Sequence, residues 1–405
     1  MDGKYEEYIL RKFEINNKIG INTKDLITTL AIILFSLLII SIGYFVFKTY
    51  STTNDGVMVE KGKVLSIENV DETTNWHTVD YSTKTTTITF TAKVKGGELK
   101  GDIVEAIQIQ NTMYAMHDMT VEEGDIVLLT EMKNPNTGET SWAFVGYHRL
   151  GKLALITIIF LLFLVIIGRR QGVTTIISLV LICLAVFLVY IPSILAGVNI
   201  YLSTTILGIY IVLMSLIIIG GVNKKTLCAI LGNIGGVLIA AIIAYYMNDV
   251  LKMTGFIDDT YANLKVANTK ESLDLVALVW AGIVLGSMGA VMDVAMSIAS
   301  SMNELGEHMR NKTFFKLVKS GLNIGKDITG TMSNTLILAY MGSSLALVIL
   351  FMINTKDLNF LFSLEVIAEQ IIQSVVGSMG ILFAVPFTAI FSAWVFNAGK
   401  IETSE

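Results

Sequence analysis

The chain contains eight apolar runs, and most of them are long enough to cross a bilayer. They are Leu26–Phe47, Leu153–Ile167, Val173–Ile191, Leu202–Gly221, Leu227–Met247, Leu275–Met302, Met332–Ile353 and Ile371–Val395. A helix needs roughly 20 apolar residues to span the hydrocarbon core of a membrane. With 53% hydrophobic and only 16% charged residues, the chain is also too apolar for an ordinary soluble protein. The sequence predicts an α-helical polytopic membrane protein with eight transmembrane helices.

Lysine and arginine are concentrated in alternate connections between these runs. They precede the first run and lie between the second and third, the fourth and fifth, and the sixth and seventh, the last group being Arg310, Lys312, Lys316, Lys319 and Lys326. Cytoplasmic loops carry an excess of these residues. We therefore expect a bacterial cytoplasmic membrane protein with both termini in the cytoplasm. The first run has no small-residue cleavage site, which predicts a retained signal anchor.

This topology divides the chain into five parts. The expected parts are a cytoplasmic segment at residues 1–25, the signal-anchor helix at 26–47, an extracytoplasmic domain at 48–150, a seven-helix membrane domain at 151–398 and a cytoplasmic tail at 399–405. Basic residues between 303 and 330 alternate with apolar ones at helical spacing. That segment is either an interfacial helix on the inner leaflet or a plain basic connector.

The extracytoplasmic part is polar and rich in threonine, with period-two alternation typical of strands. Five candidate strands are Val57–Ile67, Thr87–Val94, Ile103–Ile109, Ile126–Glu131 and Ser141–Tyr147. Short strands separated by glycine-containing turns predict a small all-β, OB-like or SH3-like barrel between the first and second helices. Its histidines, His77, His117 and His148, are too scattered for a metal site.

The same reading excludes several classes of function. A net charge of -5 without a basic domain argues against nucleic acid as a partner. The sequence contains no zinc-protease motif and no serine-nucleophile elbow, and Asp293 has no second aspartate within a predicted span with which to form a protease dyad. We expect neither enzyme activity nor a cofactor.

Asp293 is the strongest candidate for a functional residue. It lies inside the sixth run, where a carboxylate costs several kcal/mol unless it faces other helices, water or an ion. Gly286, Gly289, Ser297 and Ser300 recur around it at three- and four-residue intervals. Residues at this spacing share one face of a helix, and small residues let a neighbouring helix approach closely. We expect this stripe to face the helix bundle.

Two asparagines are predicted to lie at about the same depth in the membrane as Asp293. Asn233 lies in the fifth run, and Asn334 follows Ser333 at the start of the seventh. Together with Asp293 they would form one polar pocket that binds a solute or ion. The alternative, in which the asparagines only join helices by hydrogen bonds, is equally compatible with the sequence.

The eighth run carries a second polar stripe. Glu365, Glu369, Gln373 and Gly377 follow one another at four-residue intervals toward its outer end. An inner acid on the sixth helix and an outer acid on the eighth would mark the two ends of a proton or cation path. Glu365 has an interfacial alternative, because Asn359 and Ser363 nearby are also polar.

Several strings of this sequence resemble a known family. MGAVMDVAMSIASSMNEL, GKDITGTMSNTLILAYMGSSL and VGSMGILFAVPFTAI, with GELKGDIVEAIQIQNTMY, EEGDIVLL and IGRRQG, are similar to the YibE/F-like family of bacterial membrane proteins. The resemblance covers about residues 57–398. It implies a cytoplasmic membrane of the Gram-positive type and a link to transport, without a substrate. The motif positions that it implies are Asp293, Asp327, Asn334, Glu365 and Pro386.

The leading functional prediction is a secondary transporter or exporter that works with the lipid bilayer and a solute or ion as its partners. A non-transporting scaffold whose outer domain binds a partner is the alternative, followed by a channel. A homo-oligomer is compatible with each of them. A water-accessible polar cavity that reaches Asp293 distinguishes a transporter from a scaffold, which should be packed solid there.

Overall fold

A computed structural model describes the chain over residues 23–51, 59–78, 81–97, 99–111, 119–133, 140–267, 273–309, 313–354 and 357–398. It is mostly helical and contains one small β-barrel. The chain divides into two compact units, one formed by Thr53–Ile167 and the other by Met1–Thr52 with Gly168–Glu405. The predicted tail at 399–405, His117 and nearly all of the predicted segment at 1–25 lie outside the described residues.

Five strands close into a barrel in the order β1-β2-β3-β5-β4. They are β1 (Val59–Thr78), β2 (Tyr81–Val94), β3 (Ile103–Asn111), β4 (Ile126–Lys133) and β5 (Thr140–Tyr147). β3 and β5 pair in parallel, whereas the other neighbours are antiparallel. Val64, Phe90 and Leu129 are among the buried side chains that fill the interior. The predicted five-stranded barrel is therefore confirmed.

β1 and β2 extend well beyond the strands predicted from the sequence. Their antiparallel pairing continues through Asp71↔Thr87 and Thr73↔Thr85 to Thr78↔Tyr81. Alternation of polar and apolar residues marks a strand only where one face is buried. Glu68, Val70 and Asp71 are exposed, so the extension has no apolar face to detect. Its threonines favour strands because they are β-branched.

The helices are α1 (Thr23–Ser51), α2 (Leu150–Ala185), α3 (Ile191–Leu195), α4 (Ile200–Gly220), α5 (Lys224–Val250), α6 (Asp259–Ala267), α7 (Leu275–His308), α8 (Phe314–Asn354), α9 (Leu358–Ser363) and α10 (Glu365–Ala398), with a π-helical turn at Val186–Tyr190. Among the described residues, seven helices are long and apolar enough to cross a membrane. This number is smaller than the predicted eight because Leu150–Leu195 counts as one. Arg169 interrupts that stretch with φ 48° and ψ -120°, so the second and third predicted runs meet there.

Residues 303–330 are not a connector of the kind predicted. α7 continues to His308, and α8 begins at Phe314 and runs unbroken into the seventh apolar run. The interfacial reading placed the apolar face of this segment on a membrane surface, but much of that face packs inside the protein, with Phe315 left exposed. Leu317 is fully buried, and a Cβ at Gly321 would lie 2.7 Å from the Cβ of Ala389 in α10. The alternation of basic and apolar residues in this segment therefore reflects the packing of α8 against α10.

α5, α7 and α10 form the centre of the larger unit. A Cβ at Gly236 in α5 would lie 2.7 Å from the carbonyl oxygen of Gly380 in α10, so only glycine allows these two backbones to approach. α7 runs parallel to α10, because Val291 packs at Gly380 and, farther along both helices, Phe396 packs at Gly306. α8 lies antiparallel on α10. The helices that carry the predicted stripes are thus neighbours.

Candidate functional site

The polar stripe of α7 points in a direction that the sequence did not predict. Gly286, Gly289, Asp293 and Ser297 are exposed, and Ser300 is partly exposed. The opposite face of the helix is buried against α5 and α10. The expectation that the stripe packs against the centre of the bundle was wrong. Mostly apolar side chains occupy that interface, and the small residues and Asp293 lie on the exposed face of the helix.

The exposed face of α7 meets the second predicted stripe at Gly286. A Cβ at Gly286 would lie 2.8 Å from the hydroxyl oxygen of Tyr340 in α8 and 3.1 Å from Nε2 of Gln373 in α10. The side chains of Tyr340 and Gln373 are also hydrogen bonded to each other. The sequence could not establish that the stripes of α7 and α10 face each other, and the structure brings them together at this point.

Glu369 lies about one turn outward of Gln373 on the same face of α10. Its side chain is 8% exposed, and a carboxylate oxygen accepts a hydrogen bond of 2.5 Å from Nε2 of Gln370. Tyr261 of α6 lies near it. Burial, together with the charges of Glu369 and Asp258, raises the pKa of Tyr261, so its phenol remains a neutral donor. Glu369 therefore lies within a cluster of acids and phenols near the N-terminal end of α10.

A close contact of three helices lies between this cluster and Asp293 along the length of α7 and α10. A Cβ at Gly377 in α10 would lie 3.4 Å from a methyl of Leu336 in α8 and 3.5 Å from the Cβ of Ser287 in α7. These contacts hold three helices close together about one turn inward of Gln373.

Asp293 lies beyond that contact, toward the C-terminal end of α7. It follows Gly286 by seven residues, about two turns, and therefore projects from the same face of α7. Gly289, between them, has no atom within 4 Å of its Cβ position. Ser297 is exposed about one turn farther inward. Asp293 and Ser297 thus lie together on the exposed part of the stripe toward the C-terminal end of α7, whereas the sequence predicted that they would be buried against the bundle.

Glu365 has a different environment from the one predicted. Its carboxylate accepts hydrogen bonds from the backbone N–H of Thr254 at 2.7 Å, from the Thr254 hydroxyl at 2.7 Å and from the backbone N–H of Gly255 at 2.6 Å. These donors lie in the loop that follows α5. With its oxygens committed in this way, Glu365 ties that loop to the start of α10. We assign it a structural role instead of ion binding.

Replacing Glu365 by alanine should lower the thermal stability of the purified protein. The change leaves two backbone N–H groups without their charged acceptor, and hydrogen bonds to charged groups contribute about 1.5–3 kcal/mol each. Melting in detergent, followed by circular dichroism, measures the effect. Glu365→Gln, which keeps an acceptor oxygen, should restore part of the loss. A melting temperature unchanged by Glu365→Ala would contradict the structural role.

The two asparagines do not join Asp293. Asn233 in α5 is fully buried, and it lines a cavity on the opposite side of α7 from the stripe. Asn334 is exposed on α8. Ser333 lies on the same face of α8 as Tyr340, and Asn334 is rotated from that face by about 100° around the helix axis. The single polar pocket predicted from the sequence is therefore not formed. The structure brings together Glu369, Gln373 and the α7 stripe.

Sequence reasoning missed Tyr340 and Tyr261. Tyr340 follows Ser333 by seven residues, which places both on one face of α8. That spacing was available in the sequence, but an aromatic residue in an apolar run carries no signal by itself. Tyr261 is contributed by the short helix α6, whose position beside Glu369 depends on the fold.

Comparison with known proteins identifies the larger part of the chain. Residues 156–398 match the family described as YibE/F-like protein. The match includes the three strings from α7, α8 and α10, and it does not include the barrel. Of the remaining motif positions, Asp327 is exposed on α8, and Pro386 lies inside α10. No curated protein and no solved structure matches the chain.

Proposed function

The chain belongs to the YibE/F-like family, and we propose that it is a secondary transporter or exporter driven by proton or cation binding at Asp293. It acts in a bacterial cytoplasmic membrane, with both termini in the cytoplasm, and moves a solute or ion without chemical change. The long apolar helices and the distribution of lysine and arginine support this placement. The observation that carries the proposal is the meeting of two polar stripes at Gly286, Tyr340 and Gln373.

Asp293 is the binding group in this proposal. An ionised carboxylate within a membrane is costly, and binding a proton or a monovalent cation removes its charge. The neutral form can then move past apolar surroundings at a much lower cost. The free space beside Gly289 leaves room for water or a cation next to the carboxylate.

Glu369 is the corresponding acid at the outer end. Between the two acids, the Tyr340 hydroxyl and the Gln373 amide can each donate and accept hydrogen bonds. They can therefore pass a proton or replace part of the hydration shell of a cation. Buried carboxylates in membrane helices typically mark such relays.

The contact of Leu336, Gly377 and Ser287 is the barrier in this account. Transport requires the two acids to communicate, so α8 must shift relative to α10 at this contact. Alternating access in transporters proceeds by movement of one group of helices against another around a central site. The contact of Leu336 with a glycine, with no side chain to interlock, favours such a movement.

Ion flux into proteoliposomes that hold the purified chain tests this function. Proton movement is followed with an enclosed pH-sensitive dye, under imposed proton, sodium or potassium gradients. We expect flux above that of protein-free vesicles under at least one gradient. A rate equal to that of protein-free vesicles under all three would favour the scaffold instead.

A further inference from the structure

A small cavity lies between α4, α5 and α7, on the side of α7 opposite to Asp293. Its α7 wall is formed by Trp280, Val284 and Met288, which share one face of the helix. Asp293 follows Val284 by nine residues, about two and a half turns, and therefore projects from the other side. This cavity is separate from the proposed ion path, and the inference below does not depend on transport.

The cavity has a volume of 140 Å³. That is close to the roughly 150 Å³ of an engineered protein cavity that holds one benzene molecule. Its walls are almost entirely apolar, and no charged residue lines it. An ion would be strongly disfavoured there, because burial of an unpaired charge in an apolar site is costly.

One side chain in the wall is polar and without a partner. Asn233 is fully buried, and neither its Oδ1 nor its Nδ2 has a hydrogen-bond partner among the described residues. An amide buried without partners costs free energy. The side chains of the other polar residues in the wall already have hydrogen-bond partners. Thr204 is bonded to the Tyr190 hydroxyl at 2.8 Å, and the Thr205 hydroxyl donates to the Tyr201 carbonyl oxygen at 2.7 Å.

Trp280 also has a hydrogen-bond partner, because its Nε1 donates to the carbonyl oxygen of Ala241 at 2.8 Å. This bond fixes the indole ring in the cavity wall. Buried water normally makes about three hydrogen bonds. Asn233 alone offers too few free partners to hold a water cluster, so the cavity suits a molecule that is mostly apolar.

The cavity also has an entrance toward the outside of the bundle. Ile209 of α4 and Leu238 of α5 belong to its lining and are 46% and 57% exposed. Apolar residues on the outer surface of membrane helices face lipid. A solute dissolved in the bilayer would therefore enter sideways between α4 and α5.

We propose that this cavity binds a small neutral molecule with an apolar body of about the size of benzene and one hydroxyl or amide group, taken up from the membrane. The Asn233 amide has no surface open to the cavity in this arrangement, so its side chain turns toward the ligand on binding and bonds to the ligand's single polar group. The apolar body of the ligand contacts Trp280 and Met288. A hydroxyl can both donate to Oδ1 and accept from Nδ2 of the amide. The size of the cavity, its neutral lining and its one free amide all point to this class.

Binding of 4-fluorophenol and fluorobenzene to the full chain in nanodiscs tests the proposal. Fluorine NMR measures both probes, and empty nanodiscs give the background from lipid. Wild-type protein should bind 4-fluorophenol more tightly than fluorobenzene. Asn233→Leu should weaken 4-fluorophenol binding by about tenfold, the value of one hydrogen bond, and leave fluorobenzene unchanged. Asn303→Leu, the same change at a partly exposed amide outside the cavity, should have no effect.

A second variant and a stability measurement complete the test. A Cβ at Gly208 would lie 2.6 Å from the terminal methyl of Met288, so Gly208→Leu should fill the cavity and abolish binding of both probes. Asn233→Leu should melt no lower than wild type, because an amide without partners is exchanged for an apolar group. Failure of the wild type to bind 4-fluorophenol above background, equal affinity of the wild type and Asn233→Leu, or a lower melting temperature for Asn233→Leu would each overturn the proposal.

Discussion

Asp293→Asn should abolish ion flux in proteoliposomes while leaving membrane insertion intact. Asparagine keeps the size and the hydrogen-bonding capacity of aspartate but cannot ionise. A role that depends on charge is therefore lost, whereas a role in joining helices is retained. We expect flux to fall by about tenfold or more, because the intramembrane carboxylate is the proposed carrier of the proton or cation. The reconstituted amount of each variant is measured in the same vesicles.

Glu304→Gln is the matched control for this variant. Glu304 is exposed and follows Asp293 by about three turns on the same helix. Its replacement by glutamine is the same change from acid to amide. Its charge is close to the end of α7 and is readily solvated, so flux should stay near the wild-type rate. Wild-type flux with Asp293→Asn would remove the main reason for preferring transport and would place the scaffold ahead.

Gly286→Leu should also block flux strongly. A Cβ at this position would lie 2.8 Å from the Tyr340 hydroxyl, and the larger side chain of leucine must displace both Tyr340 and Gln373. The polar connection between Glu369 and the α7 stripe is then broken by an apolar group. We expect a loss of about tenfold or more, since polar groups in a membrane path lose their function when they are separated. Flux in proteoliposomes measures the effect.

Gly289→Leu provides the comparison at the next position of the stripe. No atom lies within 4 Å of the Cβ position of Gly289, so the added side chain meets open space. It should reduce flux far less than Gly286→Leu does. Equal flux for Gly286→Leu and wild type would show that the junction of Tyr340 and Gln373 is not on the path.

Much of the fold follows from periodicity. The barrel strands that bury one face alternate visibly, and Phe90 and Ala92 of β2 occupy the buried positions that alternation predicts. The candidate spans follow from apolar length alone. The extension of β1 and β2 was missed because neither of its faces is buried where it is described.

The candidate site was predictable only up to the faces of single helices. Helical spacing correctly grouped Gly286, Asp293 and Ser297, but it does not reveal which neighbour a face meets. The structure supplies that information through Gln373 and Tyr340. The same limit explains the incorrect orientation of the stripe, since small residues accompany both a tight helix contact and an exposed face.

Two further residues depended on contacts far apart in sequence. Glu365 binds Thr254, and these residues are separated by 111 positions, so no local pattern could reveal the pairing. Asn233 was grouped with Asp293 because both lie at similar depth. Depth is predictable from sequence, whereas the side of α7 on which each residue lies is set by the packing of α4 and α5.

Access of water to Asp293 is the central claim, and thiol labelling of Gly289→Cys tests it most directly. The variant is made in a chain in which Cys183 and Cys228 are replaced by alanine, and inside-out vesicles are treated with a charged, membrane-impermeant thiol reagent. Leu345→Cys, at a position 57% exposed on the apolar outer surface of α8, is the control for a lipid-facing site. We predict rapid labelling at 289 and none at 345, because water fills the space beside Asp293. Absence of labelling at both positions would mean that lipid or protein covers the stripe and would contradict the proposed path.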